Sequence, residues 1–149
     1  MSESIYILGA ARTPVGSFQG SLATQSAPEL GAHAMAAALA NGQVKADEVN
    51  EVIIGNVVSS GLKQAPARQA MRIAQLPDSC AATTINKVCG SGMKATMLAM
   101  DLIKAGSADT VVAGGMESMS NAPYLVAKAR AGLRMGHAGM LDSLFTDGL

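Results

Sequence analysis

The run Asn86-Lys87-Val88-Cys89-Gly90-Ser91-Gly92 places a thiol where a β-branched stretch turns directly into an Ala- and Met-rich one that reads as a helix. The start of a helix leaves N–H groups without intrahelical partners and carries the positive end of the peptide dipoles, so an anion there is stabilised. A cysteine at that point is expected to have its pKa drawn below the free value of about 8.5 and to act as a nucleophile near neutral pH. The competing reading of the same spacing is a small buried hydrophobe, the common condition of a free cysteine. The second cysteine, Cys80, stands beside Asp78 and Ser79 outside any motif and reads as a spare thiol, packed or exposed. A predicted strand holds the two far apart along an extended chain, which argues against a disulfide between them. Reduced thiols in a cytosol-like compartment fit better.

Other residue types with chemical potential are scattered. His33 falls on a predicted helix and His137 in an irregular tail, and each reads as structural or solvated. Arg12, Lys87 and Lys94 invite a reading as phosphate contacts, against the plainer one of solvated surface charges. Met93, Met97 and Met100 recur at helical spacing and are expected in the core. Met116 and Glu117 follow a predicted strand end, where α/β proteins place functional loops, and read as lining a site or a subunit contact. Gly114-Gly115 lacks both the Lys-Ser/Thr of a phosphate loop and the spacing of a dinucleotide fingerprint, so a tight turn for close packing is expected. No Cys/His cluster has metal-ligand spacing, and no metal is expected.

The elements that must position Cys89 follow from pattern. A chain of 149 residues matches one ordinary domain, able to bury roughly 70% of its unfolded surface. With 49% hydrophobic and only 15% charged residues, either the core is unusually complete or a partner covers part of the surface. Eleven basic residues balance eleven acidic ones, so no broad positive field exists to attract nucleic acid or an anionic membrane. No apolar window reaches the length of a membrane span, and the opening residues lack the features of a secretory signal, so a soluble, untargeted, cytoplasmic protein is expected.

The residues at 5–8 are apolar and precede a turn at Thr13 and Pro14, predicting a buried first strand. Ser26-Ala27-Pro28-Glu29 has capping-box spacing, and the helix it opens is expected to end near Asn41, before Gly42. Positions 52–58 read as a second strand interrupted by Gly55, 65–75 as a second helix stopped by Pro77, and 83–88 as a third strand. A third helix over 90–105 with Gly106 as its cap, then a strand over 110–113, complete the alternation. That order, βαβαβαβ, predicts an α/β fold with a mostly parallel sheet covered by helices on both faces. Beyond Gly115 the pattern breaks into Met-rich and Gly-broken pieces without a clear strand, as though the sequence stopped partway through a larger protein.

Asn86-Lys87-Val88-Cys89-Gly90-Ser91-Gly92-Met93-Lys94-Ala95, followed by Val112-Ala113-Gly114-Gly115-Met116-Glu117-Ser118-Met119-Ser120-Asn121-Ala122-Pro123, resembles the thiolases, specifically the acetyl-CoA acetyltransferases. Ala10-Ala11-Arg12-Thr13-Pro14-Val15-Gly16-Ser17-Phe18, Asn56 and Pro66-Ala67-Arg68-Gln69-Ala70 fit the same family. The resemblance implies a thiolase-like N-terminal α/β domain over 1–118 that lacks its last strand, and the truncated start of a loop domain over 119–149. It implies acyl exchange between coenzyme A and an active-site Cys, here Cys89, in the reversible condensation of two acetyl-CoA to acetoacetyl-CoA, with no cofactor because the coenzyme A thioester is the substrate. By the same resemblance Leu149 touches the pantetheine arm, while Gly90 and Gly92 leave room for it. The third strand pairs across a two-fold axis in a homodimer, and the loop domain builds tetramers. A His, a second Cys and an Asn come from a longer C-terminal part, so the stretch in hand is expected to be inactive alone. Two alternatives stand beside this reading, a non-catalytic self-associating α/β module and another superfamily enzyme such as a β-ketoacyl synthase.

Overall fold

Ser26 begins the first helix, α1 (Ala27–Gly42): its hydroxyl accepts from the Glu29 N–H at 3.4 Å, and the Glu29 carboxylate accepts from the Ser26 N–H at 2.7 Å. These features come from a computed structural model in which residues 4–148 are described. The far end of α1 differs from the expectation. Gln43, with φ of 53°, takes the left-handed position, and the N–H groups of Gln43 and Val44 close onto the carbonyls of Ala40 and Leu39. Gly42 serves packing instead. A Cβ on it would stand 3.1 Å from the Leu8 carbonyl carbon, and one on Gly9 would stand 2.3 Å from the Ala38 carbonyl oxygen. These two glycines let the N-terminal segment lie against α1.

That contact accounts for the largest departure from the sequence reading. No strand forms over 5–8, and Tyr6, Ile7 and Leu8 are exposed. An apolar run becomes a strand only where a neighbouring strand offers hydrogen-bonding groups, and this run rests on a helix rather than on a sheet edge.

Three strands, β1 (Glu51–Gly55), β2 (Ala81–Ile85) and β3 (Val111–Gly115), form a parallel sheet in the order β2-β1-β3. Glu51 lies opposite Ala81 and Val111, and Gly55 opposite Ile85 and Gly115. Helices α2 (Pro66–Ile73) and α3 (Ser91–Lys104) supply the crossovers. Alternate residues of β1 point to opposite faces. Val52 and Ile54 enter the core with Met35 of α1, Met71 of α2, Leu76 and Cys80, whereas Gly55 meets the start of α3. The parallel α/β architecture with helices on both faces is therefore as the alternation predicted. Both β1 and β2 end earlier than their apolar runs, and Asn86, Lys87 and Val88 go into a turn. Gly114 and Gly115 are not a turn but the end of β3, held when Met116 N–H donates to the Gly55 carbonyl at 3.0 Å.

Helix α3 closes as expected, with Gly106 at φ of 71° and the N–H groups of Gly106 and Ser107 donating to Ile103 and Leu102. Its inner face is not the one the methionines suggested. Ser91, Ala95 and Ala99 are buried, while Met93, Met97 and Met100 are exposed, Met93 at 74%. Two stripes on this helix share the 3.6-residue period. Close approach to the glycine ends of β1 and β3 selects the small one.

Beyond β3 the chain forms a short antiparallel pair, β4 (Tyr124–Leu125) with β5 (Leu141–Asp142), where no strand was expected. The Asn121 amide donates to the Ala23 and Gln25 carbonyls, and the buried Ser143 hydroxyl donates to Pro123 O at 2.6 Å. Among the described residues no helix is long and apolar enough to cross a membrane.

Met71, fully buried between α1 and the sheet, is the largest enclosed side chain of the core. Met71→Ala is expected to destabilise the protein by about 2–5 kcal/mol, read as a lower midpoint in urea with an unchanged slope. An unchanged midpoint would refute this account of the core.

Candidate active site

The C-terminal ends of the three parallel strands bring together the segments that follow them: Asn56 after β1, Asn86 after β2, and Met116 and Glu117 after β3. Open parallel sheets carry their ligands at this edge. Cys89 stands here, exposed, in the turn between β2 and α3. The Val88 N–H donates to the Asn86 side-chain oxygen at 2.9 Å, and the Gly90 and Ser91 N–H groups donate back to the carbonyls of Lys87 and Val88. Val88 has φ of 49°. A β-branched residue in the left-handed region is strained, by about 1–3 kcal/mol, and such strain persists only where the surroundings impose it.

The surroundings are the glycine ends of the strands. A Cβ on Gly55 would lie 2.5 Å from Ser91 Cβ and 2.8 Å from the Gly92 N, so the first turn of α3 fits only because position 55 has no side chain. Gly92 is less demanding, since a Cβ there would meet Gly115 N at 3.5 Å, an ordinary contact. A Cβ on Gly90 would meet only the Lys87 carbonyl oxygen, at 3.5 Å. Gly55, which in the sequence merely interrupts an apolar strand, is thus the glycine that sets the height of α3 and of Cys89.

Beside this turn lies a polar cluster. Glu117 accepts from the Asn56 amide at 2.8 Å and from the N–H groups of Val57 and Val58, each at 2.9 Å. Asn56, 2% exposed, also donates to Met116 O at 3.2 Å, and its own N–H donates to Ile85 O at 3.0 Å. The carboxylate therefore joins the ends of β1 and β3, and Asn56 ties them to the end of β2, from which the Cys89 turn departs. Its Oδ1 is buried without a partner among the described residues. Sequence reasoning flagged Glu117 as a loop residue and Asn56 as part of a motif, but not their pairing. The available signal was the polar residue just past each of two apolar strands.

Burial pushes the Glu117 carboxyl above its ordinary value of 4.5, although the Val57 and Val58 N–H groups oppose the shift. With the folded pKa above the unfolded one, the folded state binds the proton more readily. Its contribution is complete below the unfolded pKa and is lost as pH rises from about 4.5 through the raised folded value. The stability of the wild type relative to Glu117→Gln, which does not titrate, is expected to fall across that window and then level off. Urea titrations of both proteins at a series of pH values measure it, and a rise with pH would overturn the assignment.

The remaining candidates do not join the site. Cys80 immediately precedes β2, so the two free cysteines sit at opposite ends of that strand, Cys80 buried and Cys89 exposed. Burial, with Glu51 adding to it, pushes the Cys80 thiol up. His33, His137, Arg12 and Lys87 are exposed, and Arg12 donates to the adjacent Thr13 carbonyl. Lys94 is half-buried on α3. Arg68 and Arg72 pair with Asp78 at the far end of the sheet. Leu149 lies outside the described residues. Among the described residues no group of three or more His, Cys, Asp or Glu gathers as a metal site.

Comparison with known proteins matches residues 5–149 to the family described as "Thiolase, N-terminal domain". The chain belongs to the thiolase family. Among curated thiolase-family relatives it is 54% identical over 145 residues to "Acetyl-CoA acetyltransferase" of Cupriavidus necator, 97% of this chain and 37% of that protein. It is 53% identical over 147 residues to "Acetyl-CoA acetyltransferase 2" of Arabidopsis thaliana, covering 99% of this chain and 36% of the relative. "Acetyl-CoA acetyltransferase IB" of Candida tropicalis is 52% identical over 146 residues, 97% of this chain and 36% of the relative. This thiolase chain thus spans little more than a third of the length of the relatives it matches.

Proposed function

We propose that this chain supplies the acyl-accepting cysteine of an acetyl-CoA acetyltransferase, with Cys89 as the nucleophile. The observation that carries the reading is the placement of an exposed thiol on a turn held at the C-terminal edge of a parallel sheet, in a chain whose relatives bear that name. The Cys89 sulfur attacks the thioester carbonyl carbon of acetyl-CoA, the new S–C bond forms, and the bond from carbon to the coenzyme A sulfur breaks. The Cys89 proton ends on the departing thiol. Thioester for thioester is nearly balanced in free energy, so the acetyl group passes in either direction. The Cys89 N–H is one donor for the transient oxyanion. Attack by a second acetyl-CoA, deprotonated at its methyl carbon, then gives acetoacetyl-CoA and frees Cys89. The base for that proton, a His with a second Cys and an Asn, belongs in this reading to the two-thirds of the relatives that the chain does not span.

The same reading makes 1–118 the N-terminal domain and 119–149 the start of the loop domain, with Leu149 at the pantetheine arm. It makes the protein cytoplasmic, free of any cofactor, and at least a homodimer through β2. That strand is the sheet edge opposite β3 and is only partly covered. A non-catalytic self-associating module is the second reading, favoured by the exposed Met93, Met97 and Met100 face.

Incubating the full-length protein with acetyl-CoA, quenching in acid and mapping acetyl groups by mass spectrometry separates the two. Acetyl on Cys89 and none on Cys80 is the expected result. Acetyl on Cys80 alone, or on neither in the full-length protein, would reject the nucleophile.

A further inference from the structure

We propose that Ser91 is a positioning residue, whose buried hydroxyl bonds the backbone on the N-terminal side of Cys89 and holds Val88 in its left-handed conformation, fixing where the Cys89 thiol points. The inference rests on Cys89 being the nucleophile, but its geometry stands apart from that reading. Ser91 Oγ accepts from the Lys87 N–H at 2.8 Å and donates to the Val88 carbonyl at 2.6 Å, while the Ser91 N–H donates to the same carbonyl at 3.0 Å. One side chain therefore grips both flanks of the Lys87–Val88 peptide pair immediately before the thiol.

Three features make this an imposed geometry. Val88 is the residue least suited to positive φ, and its N–H and carbonyl are both tied by side chains, Asn86 at one end and Ser91 at the other. Ser91 itself is 4% exposed and seated against Gly55, where no Cβ fits, so it cannot retreat toward the sheet. Over the run 86–92, Ser91 at the start of α3 is the buried member and Cys89 an exposed one, so the hydroxyl is bonded to the turn rather than available to a substrate. Without the two ties, Val88 is expected to relax to negative φ. Such a change at the residue preceding Cys89 swings the thiol away from its attacking position, and misplacement of a reacting group by about 1 Å is enough to lose roughly 10²-fold in rate.

The test uses what distinguishes a conformational hold from mere packing. Glycine adopts positive φ freely, so Val88→Gly should restore what loss of the hydroxyl removes. In the full-length protein, Ser91→Ala is expected to lower kcat for acetyl transfer about 30- to 100-fold with little change in KM, and to alter the alkylation rate of Cys89 by iodoacetamide. Adding Val88→Gly to Ser91→Ala should recover at least tenfold in kcat and return the alkylation rate toward wild type. Asn86 is exposed, so Asn86→Ala is expected to fold even if Ser91→Ala does not, with a smaller loss in the same direction and the same rescue. Wild-type kcat in Ser91→Ala, or a folded variant that Val88→Gly does not rescue, would overturn the proposal. If wild-type Cys89 accepts no acetyl group, the nucleophile reading fails, while an alkylation rate of Cys89 that changes in Ser91→Ala and returns with Val88→Gly would still establish the hold.

Discussion

Cys89→Ser is expected to fold normally and to lose acetyl transfer by about 10⁴-fold or more, the scale on which enzymes respond to loss of a nucleophile. Because position 89 is exposed, exchanging sulfur for oxygen disturbs no packing. The loss comes from chemistry. A hydroxyl stays protonated near neutral pH, is a weaker nucleophile than a thiol, and holds an acetyl group as an oxygen ester, which returns it to coenzyme A far less readily than a thioester does. Steady-state rates of thiolysis and condensation in the full-length protein measure the effect, with circular dichroism to establish folding. Cys80→Ser is the matched control, at the opposite end of β2 and outside the site. A Cys89→Ser enzyme within tenfold of wild type would reject the nucleophile.

Gly55→Ala is expected to affect stability and activity together. The added carbon would come within 2.5 Å of Ser91 Cβ, 2.7 Å of the Ser91 carbonyl carbon and 2.8 Å of Gly92 N. These are backbone and near-backbone atoms of a helix start, with no flexible side-chain end to swing aside. The first turn of α3 must therefore move off the sheet, at about 1–3 kcal/mol or more. That turn carries Ser91 and follows Cys89, so a shift of about 1 Å should also reduce acetyl transfer on the order of 10²-fold. Gly92→Ala, where the new carbon makes contacts of 3.5 Å and longer, is the comparison and should be far milder. Urea denaturation and steady-state rates on both variants measure the difference. Equal stability of Gly55→Ala and wild type would show that α3 is not seated as described.

Much of this arrangement was legible along the chain. Ser26 with Glu29 marked the start of α1, Gly106 marked the end of α3, and the apolar runs located three strands in parallel-sheet order, because caps and strand cores are decided by residues close in sequence. The thiol at the helix start was legible for the same reason. The run at 5–8 misled because strand formation needs an edge to pair with, and nothing local reports which edge is open. Met93, Met97 and Met100 misled because a helix with two apolar stripes has the same period whichever one faces inward, and the choice fell to the stripe of Ser91, Ala95 and Ala99. Gln43 took the left-handed position beside Gly42, since Gly42 and Gly9 were required where the N-terminal segment crosses α1.

By itself the sequence determined the alternation of elements from α1 to β3, the family, and Cys89 as the reactive candidate, all of which reside in short runs whose physics is local. Tertiary structure alone decided that Gly55 must lack a side chain beneath Ser91 and Gly92, and that Glu117 joins the ends of β1 and β3 through Asn56 and the backbone. Each of these is a distance between atoms on elements brought together only when the sheet and its helices pack, and no spacing along the chain contains it.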